Sequence, residues 1–166
     1  MNPDPSAFIH LLQFADGLFP AGGYAPSFGL ETLVQSGRIQ TADHVASFLR
    51  VHLESSAAPT DAVIALAALA HDLPTCLRLD RTLEALKIAA ESREASRQMG
   101  RQTLRILRDL SPDPFITRFV AEAESQAAPC HQPVVFGIAS AALKWPPEET
   151  ASAFLYATSA LKHSNR

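Results

Sequence analysis

The chain has 166 residues, a formal net charge of −3 at pH 7 and a hydrophobic fraction of 47%. This length and composition suffice for one ordinary hydrophobic core, so we expect a single domain that spans residues 1–166. The acidic charge argues against general attraction to nucleic acid or anionic lipid, and two distant cysteines do not suggest a disulfide framework. The sequence has no basic and apolar leader, and no apolar run reaches the roughly 20 residues of a membrane span. We therefore expect a soluble cytoplasmic protein.

Apolar residues recur at helical spacing along most of the chain, whereas the alternation typical of strands is nearly absent. The sequence therefore predicts an all-α fold, a single-domain bundle of about eight helices. Phe8, Leu11 and Leu12 mark a short first helix, and a second helix begins at Leu30 and ends at Gly37.

A glycine-rich segment from Gly17 to Gly37 holds five of the seven glycines in the chain. Glycine permits positive φ angles, and Pro20 and Pro26 cannot lie inside a helix, so we predict a shaped loop between two helices. Large aromatic residues on such a loop either pack under the domain or contact a partner. The aromatic residues concerned are Phe19, Tyr24 and Phe28.

Two threonines are predicted to cap the next helices. Thr41 precedes a helix whose apolar stripe includes His52, which we expect to be a hydrogen-bonded core histidine. Thr60 precedes a helix from Asp61 to about His71 that is apolar on nearly every face. This pattern is typical of a central helix in a bundle.

Prolines mark the starts of the later helices, because proline is favoured in the first turn and excluded from the helix interior. Pro74 starts one helix, and Ser111 followed by Pro112 is interpreted as a cap and a first helical residue. Pro133 and Pro147 open the last two helices.

A long helix from about Glu91 to Leu110 has a face of small residues. Ser92, Ser96 and Gly100 lie on one row at a spacing of four, so a neighbouring backbone can approach closely there. Glycine costs about 1 kcal/mol relative to alanine inside a helix, a cost that close packing would offset.

The adjacent arc of this helix is rich in arginine. It is either a solvated face paired with acidic residues elsewhere in the fold or a contact surface for an acidic partner; the net charge argues against nucleic acid. The arginines of the arc are Arg93, Arg97, Arg101, Arg105 and Arg108.

The sequence contains none of the common motifs for phosphate binding, structural zinc or acyl transfer. His71-Asp72 is similar to the metal-binding pair of all-α phosphohydrolases, although the imidazole alone would also suit a helix C-terminus. Cys130 and His131 could bind a soft metal, but two ligands do not make a closed site. We therefore predict no catalytic residue and no firm metal site.

Four blocks of sequence resemble the UreF family of urease accessory proteins. They are the glycine-rich segment with its helix, Pro59–Asp61, Ser92–Arg101 and His131–Gly137, and they occur in the order and spacing of the family. The resemblance extends from about Phe8 to Tyr156. It implies an all-helical, usually dimeric cytoplasmic protein that has no catalysis of its own and helps to load nickel into apo-urease.

The resemblance also implies the partners UreD (also called UreH), the nickel-carrying GTPase UreG and apo-urease. Nickel would be handled by the complex and GTP by UreG, so this chain would bind no cofactor stably. Segment 18–29 and the helix that begins at Ser92 match the signature blocks of the family and are interface candidates only. The candidate residues that the resemblance implies are Phe19, Gly22, Gly23, Tyr24, Phe28, Gly29, Glu31, Arg93, Glu94, Ser96, Arg97, Gly100 and Arg101. If nickel contacts this chain briefly, Cys130 and His131 are the suitable groups.

The chain departs from the family at its C-terminus, because relatives usually continue for some tens of residues beyond Arg166. We therefore expect a truncation that impairs contact with UreD or UreG if the missing segment contributes to it. A helical dimeric adaptor with an unrelated partner remains the alternative.

Overall fold

The computed structural model describes residues 5–16 and 29–160, which form helices joined by short connections, with no strand among them. The α-helices are α1 (Pro5–Ala15), α2 (Leu30–Gln35), α3 (Ala42–His52), α4 (Val63–Ala68), α5 (Leu73–Leu86), α6 (Ala90–Leu110), α7 (Pro114–Glu124), α8 (Gln132–Ala142) and α9 (Pro147–Ala160). A π-helical segment, Leu53–Ala62, joins α3 to α4 without a break, so these residues form eight separate helical rods. The predicted all-α fold of about eight helices is confirmed. Within the described ranges, no helix combines the length and apolar character needed to cross a membrane.

Helix α8 forms the centre of the fold because all residues from 133 to 140 are buried. It packs against α6 on one side and α4 on another, and it also contacts α5 and α9. The helix predicted for Asp61–His71 was expected to be a central helix that is buried on nearly every face; α4 does pack against α8, α5 and α9, but it is not buried on every face. Helix α4 ends at Ala68, and its Val63 is 55% exposed. It lies beside α8 and contributes only one buried face to the core.

Two glycines allow close backbone packing, one within α8 and one on α6 opposite the residue Cys130 that precedes α8. A Cβ atom at Gly137 would lie 2.2 Å from the carbonyl oxygen of Ala65 and 2.5 Å from Cβ of Ala68. A Cβ atom at Gly100 would lie 1.8 Å from the carbonyl oxygen of Cys130. The predicted close-packing face of α6 is therefore confirmed, and its neighbour is the backbone that leads into α8.

Aromatic side chains join α1 to the centre of the fold. The ring of Trp145 lies 5.1 Å from that of Phe14 on α1 and 5.4 Å from that of Phe136 on α8. Phe154 on α9 contacts Phe136 at 5.3 Å. All four rings are buried, so they bring large apolar areas into the core.

The predicted cap at Thr41 is confirmed, since its hydroxyl oxygen accepts the His44 N–H at 3.2 Å. The cap predicted at Thr60 is wrong, because Thr60 lies inside the π-helical segment and its hydroxyl donates to the carbonyl oxygen of Ser56. The wider π-helical turn accommodates Pro59, which has no N–H to donate, so the helix continues and no new N-terminus forms.

The start of α7 lies two residues beyond its predicted position. Ser111 is the C-cap of α6, and the carboxylate of Asp113 accepts the Phe115 N–H at 2.7 Å, so the first helical residue is Pro114 rather than Pro112. The starts predicted from Pro74, Pro133 and Pro147 are confirmed.

Replacing Gly137 by alanine should destabilise the fold although alanine has the higher helix propensity. The added methyl overlaps the α4 backbone, and we expect a loss of about 1–3 kcal/mol in the free energy of unfolding, opposite in sign to the propensity gain. Urea denaturation measures the loss. Gln98→Ala, at an exposed position of α6, is the control and should change stability by less than about 0.5 kcal/mol. Equal stability of Gly137→Ala and the wild type would contradict the close contact.

Candidate functional site

A buried carboxylate on α5 binds the backbone at the start of α8. Asp80 is 0% exposed, and its two oxygens accept the N–H groups of Cys130 and His131, each at 2.7 Å. His131 is the N-cap of α8 and Cys130 is the residue before it, so no carbonyl oxygen within the helix accepts their N–H groups. Asp80 therefore fixes the position of α8 against α5.

The environment of Asp80 opposes its ionisation. Burial raises the pKa of its carboxyl group to about 6, and the N–H donors of His131 and Cys130 act in the opposite direction by stabilising the charged form. Asp80 is consequently ionised at neutral pH and becomes protonated in mild acid.

His131 continues this polar network from α8 to α5 and α6. Its ring is 0% exposed, with Nε2 3.0 Å from Oε2 of Glu84 and Nδ1 3.1 Å from the hydroxyl of Ser96. Burial lowers the pKa of His131, and the hydrogen bond with Glu84 acts against that shift. A neutral ring with its proton on Nε2 donates to Glu84 and accepts from Ser96, so both ring nitrogens have partners.

Two arginines of the predicted arc are held by groups of α5 and the connection after it. Oε1 of Glu84 accepts a hydrogen bond from Arg97 at 2.7 Å and lies 3.7 Å from Nε of Arg93. Arg93 also donates to the carbonyl oxygens of Lys87 at 2.7 Å and Ile88 at 2.9 Å. The interpretation that the arc pairs with acidic residues elsewhere in the fold therefore holds for its N-terminal part.

The C-terminal part of the arc faces solvent. Arg101 donates to Glu94 at 2.8 Å, and Arg108 lies 3.3 Å from Asp109. Arg105 donates to the neutral side chain of Gln102 at 3.3 Å. Exposed pairs of this kind contribute little to stability, so this part of α6 is free to contact another molecule.

Both cysteines are buried thiols. Burial raises the pKa of Cys130 to about 12 and that of Cys76 to about 11, so neither is a thiolate at neutral pH. Within the described part of the chain, no three His, Cys, Asp or Glu residues are grouped so that they could hold a metal ion. The weak candidate pair Cys130 and His131 thus has no third ligand there.

The adjacent residues His71 and Asp72 bind different partners. Nε2 of His71 lies 3.1 Å from Oδ2 of Asp113, and the centre of its ring lies 4.1 Å from that of the Phe115 ring. The carboxylate of Asp72 accepts the N–H of Thr75 at 2.9 Å and caps α5. The shared metal site considered for this dipeptide is therefore not supported.

A cleft of about 680 Å³ opens beside the α5–α6 connection, between α2, the π-helical segment and the end of α9. Gly29 and Glu31, two of the predicted interface residues, line it. His52 also lines this cleft and is half-buried, so its predicted place in the core is wrong. The other candidates of the glycine-rich segment, Phe19, Gly22, Gly23, Tyr24 and Phe28, lie outside the described residues.

Sequence reasoning missed the acidic residues of α5. Asp80 and Glu84 lie one turn apart, and Asp80 shares the buried face of α5 with Cys76 and Leu83. An acidic residue in line with buried apolar positions is the signal that could have identified Asp80, because such a group needs hydrogen-bond partners.

The raised pKa of Asp80 predicts that its ionisation weakens the fold. The stabilisation by the protonated Asp80 carboxyl group is fully present below the unfolded pKa of 3.8 and is lost as pH rises through about 6. The resulting loss in the free energy of unfolding is about 3 kcal/mol at most. Burial lowers the pKa of His131, so its contribution has the opposite sign: it is present above the unfolded pKa of 6.5 and is lost as pH falls through the lower folded pKa.

Asp80→Asn isolates the first effect because it removes one titration and leaves His131 in place. We expect the difference in unfolding free energy, wild type minus variant, to decrease from about pH 4 to about pH 7. Chemical denaturation at a series of pH values measures it. A difference that stays constant or increases with pH would contradict the burial of an ionisable Asp80.

Comparison with known proteins assigns this helical architecture to a family. Residues 39–161 match the family model described as UreF. A protein of Trichodesmium erythraeum named urease accessory protein UreF is 31% identical, with 94% of this chain and 69% of the relative aligned. Its namesake in Actinobacillus pleuropneumoniae is 33% identical over 88% of this chain and 66% of the relative. The UreF protein of Lachnoclostridium phytofermentans is 30% identical over 92% and 68%, respectively.

The chain thus spans about two thirds of the length of these curated relatives. The matched region contains the whole of α5, α6 and α8, and hence every member of the network around Asp80 and His131. The chain belongs to the UreF family of urease accessory proteins.

Proposed function

We propose that this chain is a non-catalytic scaffold of urease maturation, which works with UreD (UreH) and the GTPase UreG to deliver nickel to apo-urease. The observation that carries the proposal is the match to the UreF family over residues 39–161. In this proposal the chain acts in the cytoplasm as a homodimer, nickel is the cargo of the complex, and UreG hydrolyses GTP.

The use of the ionisable groups supports a scaffold rather than an enzyme. Asp80 and His131 are buried and bind neighbouring helices, and Glu84 connects His131 to Arg97. Such bonds hold α5, α6 and α8 in fixed relative positions. A scaffold requires this rigidity, because a preformed surface avoids the entropic cost of ordering on association.

The outer surface of α6 supplies a region that suits an acidic partner. Arg101, Arg105 and Arg108 are exposed. Among the described residues, Arg105 pairs only with the neutral side-chain amide of Gln102. Positive side chains on a rigid helix steer an acidic surface during encounter and fix its orientation.

Reconstitution with purified UreD, UreG and apo-urease tests the proposal. We expect the chain to elute with UreD and UreG in size-exclusion chromatography and to increase urease activity when nickel and GTP are supplied. The chain alone should show no hydrolysis of GTP. The proposed role would be contradicted if the chain bound neither UreD nor UreG, or if the chain alone hydrolysed GTP.

A pair of charge-reversal variants tests the contribution of α6 in the same assay. Arg101→Glu with Arg105→Glu should weaken the complex about tenfold at low salt. Arg50→Glu with Arg118→Glu makes the same change in net charge at exposed positions of α3 and α7 and is the control. Equal weakening by both pairs would indicate a general charge effect and would remove the outer surface of α6 from the interface.

A further inference from the structure

We propose that the cleft beside the α5–α6 connection is the docking site for a segment of a partner polypeptide that carries a basic side chain next to aliphatic ones. This inference rests on the proposed scaffold role and adds a site and a partner chemistry to it. The cleft volume of about 680 Å³ lies within the range of roughly 300–1,000 Å³ that binding sites occupy. Its walls come from α2, α3, the π-helical segment, α5, α6 and α9, so the shape depends on the folded chain.

The charges of the cleft favour a cationic occupant. Lys87 donates to both oxygens of Asp61, at 2.9 Å and 3.1 Å, and these two charges neutralise each other. Glu31 and Glu91 also line the cleft, are exposed, and have no ion-pair partner within the described part of the chain. Two uncompensated carboxylates therefore face the space, and a guanidinium or ammonium group would form charge-assisted hydrogen bonds with them.

Exposed aliphatic side chains at the same place favour a polypeptide over a small cation. Ile88 is 90% exposed and Leu86 is 53% exposed, and both line the cleft. Large aliphatic groups beside a concave polar site are typical of protein contact surfaces, because covering them gains about 25 cal/mol for each Å² of apolar area. A small ion held by Glu31 and Glu91 would leave them in water.

The start of α6 adds backbone donors to the cleft wall. Ala89, at the N-cap position, lines the cleft and provides no side-chain acceptor for the N–H groups of the first turn. A carbonyl oxygen of an extended segment could accept these N–H groups while the side chains contact the carboxylates and Ile88. The cleft thus offers carboxylates to a basic side chain, exposed aliphatic groups to aliphatic side chains, and N–H groups to a backbone carbonyl oxygen.

A peptide assay tests the cleft with the isolated chain. The probes are two fluorescein-labelled pentapeptides, one alternating leucine with arginine and the other alternating leucine with glutamate. Fluorescence anisotropy should show at least about tenfold tighter binding of the arginine peptide. Glu31→Gln with Glu91→Gln should remove most of this preference, and Ile88→Ser should weaken the binding of the arginine peptide.

Matched variants control for charge and apolar area. Glu124→Gln with Glu149→Gln removes two exposed carboxylates elsewhere, and Leu110→Ser removes an exposed aliphatic side chain of α6. Neither should change peptide binding by more than about twofold, and all variants should keep the wild-type circular dichroism and Tm, since every changed residue is exposed. Equal binding of both peptides by the wild type, or equal losses in the cleft and control variants, would overturn the proposal.

The same variants in the reconstituted complex separate the cleft from the scaffold role. Weaker binding of UreD or UreG by the cleft variants, with the controls unchanged, supports both proposals. A wild-type complex that the cleft variants leave intact would overturn the cleft as a docking site and retain the scaffold. A wild-type chain that prefers the arginine peptide but binds neither accessory protein would contradict the scaffold role and retain the cleft.

Discussion

The carboxylate of Asp80, bound to the backbone N–H groups of Cys130 and His131, is the interaction on which the arrangement of the helices depends. A buried carboxylate is costly unless donors surround it, and the N-terminus of a buried helix needs an acceptor. The two donors offset part of the cost of burying the carboxylate, and the carboxylate supplies the acceptor that the two N–H groups need. The bond places α8 on α5, and the ring of His131 then reaches Glu84 and Ser96 and brings α6 into the same framework.

Cys130 is constrained both by α5 and by α6, so the turn into α8 must pack closely against both helices. Its N–H binds Asp80 of α5, and its carbonyl oxygen lies where a side chain at position 100 of α6 would begin. Its φ angle of 67° is left-handed, a conformation that costs a residue with a Cβ atom roughly 1–2 kcal/mol. The contacts from α5 and α6 hold this conformation, so the turn into α8 has one position relative to both helices. The partner surfaces proposed for α6 and the cleft inherit that rigidity.

Local patterns predicted the features that depend on neighbouring residues in the chain. The cap at Thr41, the small-residue face of α6 that includes Gly100, and three helix starts at prolines were all available from spacing and residue type. The continuation of the helix through Pro59 could not be predicted in this way, because a π-helical turn replaces the break that proline normally causes. The role of Asp80 was also not available, since its donors lie about fifty positions away along the chain. The cleft combines residues of six helical segments, and no local pattern could bring them together.

Amide hydrogen exchange measures whether Asp80 holds the start of α8. In the wild type, the amide protons of Cys130 and His131 should exchange only through global unfolding, as slowly as those of the buried middle of α8. In Asp80→Ala these two amides should exchange much faster than the middle of the helix, because they lose their acceptor. Rapid exchange of both amides in the wild type, or equal protection in the wild type and Asp80→Ala, would show that Asp80 does not hold the start of α8.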